Sequence, residues 1–131
     1  MKTLADFKRE IVEGMEIYCT GIEEAGIDEA WTGGNLSDAP RGNLQVIPLR
    51  EKMQGIRTVT KKDTTGFYLS NNEKRGSFCG YPKAANLFYD GTVFTITERN
   101  ERGEAWQRRH YAIASTITRS EDYARRQYLN Q

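Results

Sequence analysis

Between Arg57 and Ile96, short runs of β-forming residues are cut at regular intervals by turn formers. Nothing else in the chain constrains its fold as strongly. Arg57-Thr-Val-Thr leads to Asp63-Thr-Thr-Gly66, and Phe67-Tyr-Leu-Ser70 leads to an Asn- and Gly-containing stretch ending at Gly76. Ser77-Phe-Cys-Gly-Tyr81 stops at Pro82, and Leu87-Phe-Tyr89 meets Asp90-Gly91 before returning as Thr92-Val-Phe-Thr-Ile96. Turns of this kind join antiparallel strands, because Gly and Asn accept the positive φ that tight hairpins demand. The pattern predicts an antiparallel sheet, with Asp90-Gly91 as a two-residue hairpin turn.

Both ends of the chain read differently. Thr3 to Glu13 has Leu4, Phe7 and Ile11 on one helical stripe, Thr3 as N-cap with Asp6 three residues on, and Gly14 as the stop. A helix that short needs a partner, and the sheet is the expected one. Met15, Ile17 and Cys19 alternate with Glu16 and Tyr18 as a half-buried strand does. Ile22 to Ala30 is a small helix or an irregular excursion around Trp31. Leu44 to Ile47 reads as a strand that Pro48 ends. Ala105 to Ala114 reads as the last strand, with Trp106, Arg108, His110 and Ala112 on one face and Gln107, Arg109, Tyr111 and Ile113 on the other. A C-terminal helix is expected from Ser120, where Glu121 and Asp122 suit the helix dipole. The expected class is α+β: a small, strongly bent antiparallel sheet or partly closed barrel, with an N-terminal and a C-terminal helix, in a single domain over residues 1–131. Leu4, Phe7, Ile11, Val59, Phe67, Phe78, Phe94 and Ile96 are the expected core. Gly80, between Phe78 and Tyr81, is expected to mark a bulge or a close backbone approach.

Composition narrows the function classes. Hydrophobic residues make up 37% and charged residues 28% of the 131, which suits a soluble globular domain. Lys and Arg number six against ten acids in residues 1–55, and thirteen against eight in residues 56–131. The chain is therefore polar in charge, and can offer an acidic face to one partner and a basic face to another. Cys19 and Cys79 lack CxxC spacing and His110 is the single histidine, so reduced thiols and no metal site are expected. No apolar run approaches the roughly 18 residues of a membrane span. A cytoplasmic location in a host cell is expected. The chain carries no P-loop, dinucleotide fingerprint, HExxH or GxSxG, so no enzyme and no cofactor are expected.

Three groups of residues are candidates for function. Tyr81 and Lys83 flank the Pro82 corner and offer an aromatic and a cationic contact. Asp28, Glu29 and Trp31 place a large ring among acids in the least regular segment, and Glu23 through Asp38 can mimic a phosphate backbone locally. Trp106, Arg108, Arg109, Arg119, Arg125 and Arg126 interleave aromatics with cations as nucleic-acid surfaces do, although strand alternation separates Arg108 from Arg109.

Residues 56–97 also carry a resemblance. Arg57-Thr-Val-Thr, Thr65-Gly-Phe-Tyr-Leu, Gly76-Ser-Phe-Cys-Gly-Tyr-Pro-Lys-Ala84 and Asp90-Gly-Thr-Val-Phe-Thr-Ile96 resemble a pattern in small uncharacterised phage and mobile-element accessory proteins. The resemblance implies a protein that binds and inhibits a host defence complex, anti-CRISPR-like or anti-restriction-like. The expected function is thus stoichiometric binding to a host protein or nucleoprotein complex, through Asp28, Glu29, Trp31, Tyr81 and Lys83. The alternative is a nucleic-acid-binding module using the basic C-terminal half. A small enzyme built on Cys79 or His110 comes third.

Overall fold

The computed structural model describes residues 1–27, 40–70 and 76–114. One helix, α1 (Leu4–Glu10), precedes eight strands: β1 (Glu16–Glu24), β2 (Gln45–Ile47), β3 (Ile56–Lys62), β4 (Gly66–Ser70), β5 (Ser77–Gly80), β6 (Leu87–Tyr89), β7 (Val93–Arg99) and β8 (Ala105–Ile113). All pair antiparallel in one sheet of order β5-β4-β3-β1-β8-β7-β6. The short β2 lies beside the C-terminal half of β1, while β3 lies beside its N-terminal half.

This corrects the expected class. The described protein is mostly antiparallel sheet with a single seven-residue helix, not an α+β arrangement of a sheet with helices at both ends. The helix expected from Ser120 lies outside the described residues. Helix α1 is shorter than Thr3 to Glu13, ending at Glu10 with Ile11 as C-cap. Its start follows the sequence signal: Thr3 Oγ1 accepts from the Asp6 N–H, and Asp6 accepts from the Thr3 N–H. Ile22 to Glu24 is neither helix nor excursion. A bulge between Cys19 and Gly21 lets β1 run on to Glu24, where it pairs with β2 and β8. Tertiary pairing overrides the weak local preference of an Ile-Glu-Glu run.

Further bulges between Val59 and Lys61 and between Glu98 and Arg99 bend the sheet around α1. Phe7 proves the curvature. Its ring meets Phe67 and Tyr81 near one sheet edge, at 6.1 and 6.2 Å, and Tyr89 and Phe94 near the other, at 5.2 and 4.9 Å. Phe7, Ile11, Val59, Phe67, Phe94 and Ile96 are buried, and Leu4 packs against them half-buried. Phe78 is instead 47% exposed. It pairs with Tyr68 across β4 and β5, with the rings 5.1 Å apart, while its neighbour Cys79 points into the core.

Two turn details also differ from expectation. The hairpin joining β6 to β7 has Gly91-Thr92 between its flanking pair, because the Asp90 N–H donates to the Val93 carbonyl. Gly91 takes φ +98°, and the Asp90 carboxylate accepts from the N–H groups of Thr92 and Val93. Close backbone approach falls at Gly66 and Gly76 rather than at Gly80. A Cβ on Gly66 would lie 2.3 Å from the Cys79 carbonyl oxygen, whereas one on Gly80 meets ordinary contacts.

Candidate functional site

Strand β8 joins the two surfaces of the sheet, and its alternation sorts the candidate residues. Arg109 and Tyr111 point inward, the first paired with Glu98 at 3.0 Å and the second stacked on Phe94 at 4.7 Å. Arg108 and His110 point outward in two cross-strand rows. Phe88, Thr95, His110 and Gly21 form one row; Thr97, Arg108, Glu23 and Val46 form the next.

In the first row the Thr95 hydroxyl lies 2.9 Å from His110 Nδ1, and His110 Nε2 lies 2.7 Å from Glu23 Oε2. Hydroxyl, imidazole and carboxylate stand in the order that acyl-transfer triads use. Here both contacts run sideways between adjacent strands and tie β7, β8 and β1 together. Glu23 thereby serves His110 rather than Arg108, its register partner. Arg108 consequently has no acid within salt-bridge distance among the described residues. Beyond it, the Arg41 guanidinium lies over the Trp106 ring at 5.3 Å. Val46 is 80% and Phe88 44% exposed at the two ends of these rows.

The structure therefore brings Trp106, Arg108 and His110 onto one face and places Arg109 on the other. Arg119, Arg125 and Arg126 lie outside the described residues, as do Asp28, Glu29 and Trp31. Tyr81 is half-buried against Phe7 and Phe67 with Lys8 over its ring at 5.4 Å, while Lys83 is exposed ahead of a single 3₁₀ turn. Arg41 and Val46 belong to this face but escaped sequence reading. Val46 sits in a three-residue strand where alternation is too short to show a face. Arg41 has no periodic context at all.

Both cysteines are buried free thiols, and burial pushes Cys79 up to about 11. Among the described residues no three His, Cys, Asp or Glu side chains cluster as metal ligands, and no helix is long and apolar enough to cross a membrane. No protein-family model, curated protein or solved structure matches this chain.

Proposed function

We propose that this protein acts by stoichiometric binding to a macromolecular partner, through the outer face of β8 and the strands beside it. The observation that carries this reading is Arg108. It is a guanidinium without an acid partner among the described residues, set between Trp106 and His110 with exposed Val46 and Phe88 at the ends of the rows. Arginine and aromatic side chains with apolar neighbours make up the energetic centres of protein interfaces, where a partner's carboxylate is the natural complement to such a cation. A protein partner is favoured over a bare phosphate backbone, since Glu23 lies in the same patch. The resemblance across residues 56–97 is what points to a host defence complex in the host cytoplasm as that partner.

Protonated, buried thiols support binding over catalysis by Cys79. The double engagement of His110 by Thr95 and Glu23 likewise supports a structural imidazole. One observation favours nucleic acid as a second reading: the Arg41–Trp106 stack beside Arg108 offers both a base platform and phosphate charge.

The test compares Arg108→Ala and Val46→Asp with the parent protein in capture from host extract, with melting temperature measured in parallel. Loss of one defined captured complex at unchanged melting temperature is expected. Equal capture by all three proteins removes this face as the interface. A mobility shift of labelled DNA or RNA that weakens steeply with salt, and less steeply in Arg108→Ala, moves the reading to nucleic acid.

A further inference from the structure

The interior of the curved sheet holds a feature that the outer face does not use. At the end away from α1 it opens into a cavity of about 190 Å³, walled by Arg57, Leu69, Cys79, Arg109 and Tyr111 with Met53 at its lip. Arg57 is only 2% exposed, its Nε has no hydrogen-bond partner, and no acid pairs with it among the described residues. The Nε of Arg109 is likewise buried and unsatisfied, although its Nη2 reaches Glu98. Arg50 adds a further cation at the rim.

A guanidinium stays cationic inside a protein, and taking one out of water without a counter-charge is costly. The neighbouring groups do not neutralise it. Burial pushes Cys79 up to about 11 and Tyr111 up to about 12, so thiol and phenol face the cavity uncharged at neutral pH. Two carboxylates flank Gln107 in the cavity wall: Glu98 is already paired with Arg109 and Glu24 accepts from the Gln107 amide, and neither is paired with Arg57. The cavity therefore holds a surplus of forked N–H donors, and a water's share of volume is only about 30 Å³. That leaves room for one small anion and its hydration.

We propose that this cavity is a binding site for a small oxyanion, a carboxylate or phosphate group, gripped by Arg57 and Arg109. Both anion types present the paired oxygens that a guanidinium fork matches, and such bonds are the strong, short ones. Leu69 and Met53 would flank the remainder of a ligand with an apolar wall. The site is independent of the outer-face reading, because Arg57 and Arg109 lie on the opposite surface of the sheet.

The test is titration of the full chain with sodium phosphate and, separately, sodium acetate. Amide chemical shifts and melting temperature are followed against chloride at matched ionic strength. A saturable response to either anion is expected, with the largest shifts on β3, β5 and β8, and the two arms identify which anion chemistry is taken. Arg57→Met should weaken that binding by about tenfold or more, while its melting temperature without anion equals or exceeds the parent's, since an unpaired buried cation has been removed. Arg57→Lys keeps the charge but loses the fork, and should also bind more weakly. A response no greater than chloride's overturns the proposal. So does unchanged affinity in Arg57→Met or, should that variant not fold, unchanged affinity in Arg57→Lys.

Discussion

The two ends of the sheet's interior are built from opposite materials. Under α1, Phe7 gathers Phe67, Tyr81, Tyr89 and Phe94 into one edge-to-face cluster, closed by Ile11 and Val59. A few residues further along the same strands, Arg57 follows Val59's face in β3 and Arg109 follows Tyr111's in β8, and the interior becomes cationic and open. Edge-to-face aromatics add roughly 0.5–1.5 kcal/mol per pair beyond their burial, so the first end holds the fold together. The second end costs stability unless something anionic enters.

The comparison can be broken at several points. Phe7→Ala should cost about 3–5 kcal/mol, because it empties the one position that touches both halves of the bent sheet. Chemical denaturation measures this, and a loss below about 1 kcal/mol would mean that the sheet holds its curvature without α1. Gly66→Ala should cost about 1–3 kcal/mol, since its Cβ would meet the Cys79 carbonyl and force β4 and β5 apart. The same measurement on Gly80→Ala should show a much smaller change. At the open end, Met53→Ala should cost only about 1 kcal/mol, well under a buried truncation, because it borders a cavity already present.

The smallest effect concerns how α1 is held. Bonds from the Thr3 backbone and from Arg9 bring the exposed Asp6 carboxyl down from 3.8 to about 2. A depressed folded pKa contributes stability above the ordinary value, and that contribution is lost as pH falls through about 2. Asp63, lowered first by the Thr65 hydroxyl and then by the Thr65 N–H, and Asp90, lowered by the N–H groups of Val93 and Thr92, act in the same direction. Asp6→Asn should melt slightly below the parent at pH 7, and the two curves should converge near pH 2. Parallel curves across that range would place the cap's worth elsewhere.

Sequence reading recovered what local chemistry writes down. The Thr3–Asp6 cap, the alternation along β8 and six of the proposed core residues needed only spacing and turn types. Phe78 turns outward although both it and Cys79 suit a core, because only the pairing with Tyr68 decides which one turns inward. Close approach falls at Gly66 and not at Gly80 because it depends on the partner strand, which local sequence does not name. The arginine cavity was hidden for the same reason. Arg57 and Arg109 lie far apart in the chain, and each alone reads as an ordinary strand cation. Only the curvature set by α1 and the bulges brings them together.

The long pairing of β1 with β8 also governs the order in which this protein can assemble. Its cross-strand contacts join Glu24 to Gln107 and Glu23 to His110, side chains 83 and 87 positions apart. Hairpins such as β3–β4 and β6–β7 close short loops and can form early, whereas the centre of the sheet must wait for a long loop to close. During synthesis β1 therefore emerges with one edge vacant until β8 follows nearly ninety residues later. Over that interval the unpaired backbone N–H and C=O groups of β1 form an open strand edge, with Ile17, Cys19 and Ile22 uncovered on its inner face, and such edges pair with neighbouring chains. Refolding yield should accordingly depend more on protein concentration than the modest size of the domain suggests.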